Sequence, residues 1–313
     1  MKILRIDDVP LQKSNNARGG KGYVQYNIFD SAKLGRDPHR IDNFRLNLSI
    51  TEDGDMFTPR HRHDFSQYRY IIEGEADYAM GEPQRAGVLN LCVDGTYYGP
   101  TSNMVGATLV VQFGSVSGAG YIDRKDIVKG MEELKKRNEG YIEDGTYYRN
   151  PGVEGPVSQD ANEAIFELIR GQPVQYPEPE YSNPVMVNSN AIPWLPLDGV
   201  PGVEQKYMGS FSSAQYFCAR YKLDPGASLR PDSRGIYFVL SGTGTVEGEP
   251  YGKWTSVYLD DGEQAAFTAS ETSDVLYLGM PTMDAIRKTS SNPYGKEVDG
   301  RVDPWAKRET ADA

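Results

Sequence analysis

One unit occurs twice in this chain, and that duplication limits its architecture more than any other feature. Setting YRYIIEG over IYFVLSG superposes Gly74 on Gly242, a shift of 168, and setting DGTYYGP over DGEQAAF superposes Gly95 on Gly262, a shift of 167. Two anchors at nearly constant offset predict tandem copies of one fold. Each copy is a series of short strand-like runs broken by turn residues. FRLNLSI, YRYIIEG, GVLNLCV and ATLVVQFG fill 41–115, and AQYFCARYKL, GIYFVLSG, TSVYLDDG and VLYLGMP fill about 204–281. That spacing predicts an all-β protein of sandwich or barrel type. With 313 residues the chain is long enough for two such domains and a connection. Between the copies the pattern changes. IDRKDIVKGMEELKKRNEG and SQDANEAIFELIRG have helical spacing, with Asp123 and either Ser158 or Asp160 as N-caps. The turn-rich EDGTYYRNPGVEG lies between them, and the stiff linker PVQYPEPEYSNP follows. The predicted organisation is a first barrel over 1–120, an insert over 121–185, a second barrel over 186–290 and a polar tail over 291–313 anchored only by Trp305. The insert is either a packed connection or dimer arm, or a lid over a barrel mouth.

Composition excludes several function classes. A net charge of -11 leaves no cationic surface for a phosphate backbone, so nucleic acid is not an expected partner. No run is apolar enough to span a membrane, and MKILRIDDVPLQKS lacks the apolar centre of a signal peptide. A cytoplasmic location is expected. Cys92 and Cys218 lie far apart in strand-like runs, which predicts buried, reduced thiols.

The chemistry concentrates in TPRHRHDFSQYRYIIEGEADY. His61 and His63 alternate along an expected strand and so share a face, which makes them half of a metal site. Gln67 follows four residues after His63, and Gly74 seven after Gln67. This run resembles the first motif of the cupin superfamily, in which a His-x-His pair, a Glu and then a Gly mark two strands of a small barrel. The resemblance covers residues 54–114, and the strand framework recurs at 226–281. It implies two tandem cupin barrels, each a double-stranded β-helix or jelly roll, with a partly helical insert between them. It also implies one divalent metal in the first barrel, iron foremost and Zn, Mn or Ni as alternatives. This chain departs from the family pattern twice. Gln67 stands in the place of the carboxylate, and Tyr98, three residues past Gly95, stands in the slot of the third histidine. A phenolate can ligate a metal. The expected metal set is therefore His61, His63, Gln67 and Tyr98, against the alternative that the pair simply lines a polar pocket. His39 has a spacing that matches no ligand pattern.

Strand parity adds further inward candidates. Arg69 shares a face with Gln67; Arg45, Asn47 and Ser49 form one face of RLNLSI; and Gln112 is polar within TLVVQF. Arg45, Asn47 and Gln112 are the expected substrate contacts, with Tyr98 and Arg69 as catalytic groups. For the arginines the competing assignment is a solvated outer face. Such an interior suits a small anionic or aromatic substrate. In the second copy the Gln67 position becomes Gly235 and the Tyr98 position Ala265, while Asp232 and Arg234 stand near the place of the His pair. An arginine does not bind a metal. The second barrel is therefore expected to be a scaffold, or else a pocket without metal. HRHDFSQYRYIIEG is also somewhat similar to gentisate-type ring-cleaving dioxygenases, which use three histidines. The first functional expectation is thus an Fe(II)-type dioxygenase; a metal-dependent lyase or isomerase using Tyr98 and a non-catalytic binding protein are the alternatives. Cupins commonly pair through barrel strands, so a homodimer is the expected assembly.

Overall fold

A computed structural model describes residues 1–13, 23–52, 57–78, 83–114, 121–214 and 216–289; the tail with Trp305 lies outside them. Two large antiparallel sheets dominate. The first has the strand order Val185–Asn188, Val88–Cys92, Ser66–Tyr78, Thr101–Phe113, Phe44–Thr51, Val24–Phe29, Leu11–Lys13, with Pro83–Arg85 paired to Ser66–Tyr78. The second runs Lys2–Leu4, Ser256–Leu259, Gly235–Ser241, Ser273–Gly279, Tyr216–Leu223, Val203–Phe211, Leu195–Pro196. A smaller four-stranded sheet of Ser228–Leu229, Phe267–Ala269, Gly244–Val246 and Glu249–Tyr251 completes the second barrel. The duplication is visible in the backbone. Gly74 and Gly242 have φ of 81° and 92°, and Gly95 and Gly262 have φ of 78° and 77°. At Gly74 a Cβ would lie 2.0 Å from the Val105 carbonyl oxygen, so only glycine lets the two long strands cross closely there.

Sheet membership crosses the boundaries expected from sequence at both ends. Lys2–Leu4 pairs with Ser256–Tyr258 of the second barrel, and Val185–Asn188 pairs with Val88–Leu91 of the first. Each barrel therefore has one edge covered by a strand from outside its own run of sequence, which protects an otherwise open ladder.

The main sheets pack against each other through their apolar faces. Leu46, Leu48, Tyr68, Tyr70, Leu91 and Val111 from the first meet Cys218, Ile236, Phe238, Leu276 and Leu278 from the second in one buried cluster. The Tyr68 hydroxyl donates to the Gly279 carbonyl across this interface at 2.9 Å. The strict alternation of RLNLSI then decides which way the polar residues point. Leu46 and Leu48 take the inter-barrel face, so Arg45, Asn47 and Ser49 turn into the first barrel. A solvated outer face for Arg45 and Arg69 is thereby excluded.

Both insert helices form, Arg124–Arg137 capped by Asp123 and Ala161–Arg170 capped by Asp160 rather than Ser158. The turn-rich stretch between them differs from expectation, because it forms a three-stranded sheet of Gly140–Glu143, Thr146–Arg149 and Ser158–Asp160. Its cross-strand Tyr141–Tyr148 pair stacks at 5.3 Å between ring centroids. Both cysteines are free and buried, as expected. Among the described residues no helix is long and apolar enough to cross a membrane.

Candidate active site in the first barrel

The two sequence motifs meet through the backbone. His61 and Tyr98 exchange both main-chain hydrogen bonds at 2.9 Å, and the His63 carbonyl accepts from Gly95 at 2.8 Å. The histidines sit beside an isolated bridge rather than in the continuous strand expected, yet the same residues are brought together and buried. His61 Nδ1 lies 2.6 Å from the Pro59 carbonyl oxygen. A carbonyl only accepts, so Nδ1 carries a proton, and in the neutral form of the ring Nε2 would present its lone pair to Tyr98. That Nε2 lies 2.6 Å from the Tyr98 hydroxyl oxygen, and His63 Nε2 approaches the same oxygen at 3.0 Å. Arg69 directs a guanidinium NH toward it at 3.5 Å and lies over the Tyr98 ring at 5.3 Å. Phe65 stacks on His63 with centroids 4.2 Å apart.

The donor set can be tested against a metal ion. Ligand bonds of about 2.0–2.2 Å in a tetrahedral site place neighbouring donors about 3.3–3.6 Å apart, so the separations of 2.6 and 3.0 Å are hydrogen-bonding ones that would open by less than about 1 Å around an ion. A hydrogen bond from the far ring nitrogen to a backbone carbonyl, as at His61, also typifies a ligating histidine. Among the described residues no group of three His, Cys, Asp or Glu could hold a metal. His61, His63 and Tyr98 would supply a two-nitrogen, one-oxygen donor set. Gln67 is fully buried on the same inner face, but no hydrogen bond joins it to His61, His63 or Tyr98. Its Oε1 accepts from Gln112 Nε2 at 3.3 Å. The neighbouring Cys92 thiol is pushed up to about 12 by burial, against the opposing pull of Arg69 and Gln67; it is inert at neutral pH. His39 is elsewhere, 3.5 Å from Asp126 of the first insert helix.

The remaining expected contacts form a polar wall. Register pairs Arg45 with Gln112 and Gln112 with Gln67, and Asn47 with Val110 and Val110 with Arg69. Sequence reading missed their neighbours Gln25 and Asn27, which accept from Arg45 at 3.2 and 3.5 Å. The alternation in VQYNIF was the available signal. It also missed the groups the insert supplies. Tyr121 donates to Gln112 Oε1 at 3.3 Å, Phe65 packs edge-on to Tyr121 and near Phe166, and Asp64 forms a buried ion pair with Arg170. Nothing in the local sequence announces contacts between residues so far apart. The insert therefore packs against the site itself.

The counterpart region of the second barrel is occupied structurally. Arg234 is buried, donates to the Asp42 carbonyl at 2.9 Å and also to the Pro281 carbonyl; Ala265 lies in an apolar interior. A cavity of about 520 Å³ opens nearby, lined in part by Phe217, Tyr221, Leu229 and Tyr237, with no histidine.

No family model and no curated protein sequence matches the chain significantly. Solved structures do. A candidate dioxygenase from Nostoc punctiforme matches at TM-score 0.55 and 9% identity, over 90% of this chain and 82% of that one. The oxalate decarboxylase of Lactobacillus farciminis, in a formate complex, matches at 0.52 and 12%, over 89% and 86%. A deletion mutant of Bacillus subtilis oxalate decarboxylase matches at 0.51 and 13%, over 88% and 76%. These neighbours are bicupin-type proteins. The chain has the bicupin fold. In the first barrel the fold holds the Tyr98 hydroxyl against the Nε2 atoms of both His61 and His63.

Proposed function

We propose that this bicupin is a metal-dependent enzyme acting on a small anionic substrate in its first barrel, with His61, His63 and Tyr98 holding one divalent ion. The observation that carries the reading is the convergence of both imidazole Nε2 atoms on the Tyr98 oxygen, at 2.6 and 3.0 Å, inside a barrel lined by arginine and amides. Iron is the first candidate, with dioxygenase chemistry; Mn, Zn or Ni would suit a lyase or isomerase. The oxalate decarboxylases among the structural neighbours support a carboxylate substrate. Bound metal would supply Lewis acidity or, as iron, oxygen activation. The chain's own residues do the rest. Pro59 fixes the His61 tautomer, Arg69 balances negative charge on the substrate and on Tyr98, and Phe65 with the insert keeps water from His63. A Tyr98 hydroxyl between two imidazoles can also pass a proton from one to the other, which favours the lyase or isomerase alternative.

Anaerobic purification with metal analysis tests the reading. Near-stoichiometric metal is expected in the wild type and none in the His61→Ala, His63→Ala double variant; equal trace amounts in both would exclude it. Oxygen uptake during turnover separates dioxygenase from lyase.

A further inference from the structure

The cavity of the second barrel lies where the duplication places the counterpart of the first-barrel site. In each main sheet one strand runs between two others: Thr101–Phe113 between Ser66–Tyr78 and Phe44–Thr51, and Ser273–Gly279 between Gly235–Ser241 and Tyr216–Leu223. Arg69 and Asn47 flank Val110 in the first sheet as Tyr237 and Ala219 flank Tyr277 in the second. Tyr237 is also Arg69 displaced by the 168 residues that superpose Gly74 on Gly242. Counting two residues either way from Ala219 sets Phe217 in the place of Arg45 and Tyr221 in the place of Ser49. The Pro231 carbonyl accepts from Ala265 at 3.2 Å as the His61 carbonyl accepts from Tyr98 at 2.9 Å. Pro231 and Ser233 therefore hold the places of His61 and His63. Phe217, Tyr221, Pro231, Ser233 and Tyr237 all line the cavity of about 520 Å³. The space has been kept while its histidines and arginines have given way to proline, serine and aromatic rings.

These rings are held in place by their neighbours. The Tyr237 hydroxyl donates to the Ser233 carbonyl at 3.1 Å, the Tyr221 hydroxyl accepts from Gln205 at 3.2 Å, and Tyr277 packs against both Phe217 and Tyr237 at 4.8 and 4.5 Å between centroids. The lining also carries one charge of each sign, Arg230 and Asp232, both exposed. Among the described residues neither forms an ion pair or a side-chain hydrogen bond. We propose that this cavity is a second binding site, for an aromatic α-amino acid, with the ring among Phe217, Tyr221 and Tyr237 and the head group at Arg230 and Asp232. A ring gains from aromatic walls, whereas an ammonium and a carboxylate must stay where water and counter-charges meet them. A zwitterion matches both rim charges, and a ligand of one sign would meet one of them as a like charge. The cavity volume is that of a small-molecule site. The proposal does not rest on metal or turnover in the first barrel.

Calorimetric titration with L-phenylalanine tests this, beside alanine, which lacks the ring, 3-phenylpropionate, which lacks the ammonium, and phenethylamine, which lacks the carboxylate. Phenylalanine should bind saturably and one to one. Alanine should bind on the order of tenfold to a hundredfold more weakly, the worth of burying the ring. Each analogue missing one head charge should bind about threefold to tenfold more weakly, as befits partners at an exposed rim. Val200→Trp, which fills the cavity from a half-buried loop position, should abolish binding. Arg230→Gln changes an exposed side chain that the fold does not use, and it should remove the preference for phenylalanine over phenethylamine. Binding should persist in the His61→Ala, His63→Ala variant, which places it outside the first barrel. Absence of saturable binding, alanine binding as well as phenylalanine, an undiminished preference in Arg230→Gln, or loss of binding in the histidine variant but not in Val200→Trp overturns the proposal.

Discussion

The two barrels share a backbone plan and have opposite interiors. The inner wall of the first carries Gln25, Arg45, Asn47, Gln67, Arg69 and Gln112 around a His–Tyr–His cluster. That of the second carries Leu223, Tyr237, Val239, Leu259, Phe267 and Tyr277 in a continuous apolar cluster. The outer faces are alike, since both contribute large apolar side chains to the core between the barrels. Only the inner parity of each strand has diverged. One interior is built for stability and the other retains buried polar atoms without partners, a cost that suits a binding site.

Substitutions can break this contrast. The largest expected effect is at Tyr98. Tyr98→Phe preserves the ring volume and should leave the fold intact while lowering turnover on the order of 10²–10⁴-fold; with ferric iron it should also remove a visible charge-transfer band. Wild-type turnover, spectrum and metal content in that variant would leave His61 and His63 as the working groups. In the second barrel the effect should fall on stability instead. Phe267 is fully buried, and Phe267→Ala should cost about 3–5 kcal/mol by denaturant titration, with metal content per folded molecule unchanged. An equal loss of metal would mean that the barrels are not separable in this way.

Alkaline pH sharpens the same comparison. Burial pushes the Cys218 thiol up to about 12 and raises the Tyr237 and Tyr277 hydroxyls well above their ordinary range. Such groups hold their protons more tightly when folded. Their contribution is fully present below the unfolded value, near 8.5 for a thiol and 10 for a phenol, and is lost as pH rises through the folded value. Stability should therefore fall above about pH 9, by up to about 1.4 kcal/mol per pH unit for each group titrating only in the unfolded chain. Replacing Cys218 by Ala should flatten that slope, and an unchanged slope would remove the thiol from the account. The smallest effect is expected at Asn47, whose buried Oδ1 has no partner. Asn47→Leu should change stability by no more than about 1 kcal/mol, in either direction, while weakening ligand binding. A large destabilisation would show the polar wall to be structural.

Much of this was legible from spacing. Gly74 and Gly95 located the duplication because both copies need the same positive φ, and strand parity grouped Arg45 with Asn47 and Gln67 with Arg69, which the register then joins into one wall. Parity alone did not say which face was inside. That depended on Leu46, Leu48, Tyr68 and Tyr70 finding the other barrel, a contact invisible locally. Phe65 with Phe166, Asp64 with Arg170, and Tyr121 with Gln112 were hidden for the same reason: each joins the insert to the barrel through a contact that no local pattern announces.

The exchange of edge strands bears on how the protein is made. A ribosome releases residues in order, and the first barrel lacks its outermost strand until Val185–Asn188 has emerged, long after His61, His63 and Tyr98. Lys2–Leu4, released well before its partner, has no ladder to join until Ser256–Leu259 follows. The nascent chain must therefore hold one strand in waiting and leave one sheet margin open through most of its synthesis. A cut anywhere between the copies parts the second barrel from Lys2–Leu4, and a cut before Val185 also parts the first from its edge strand.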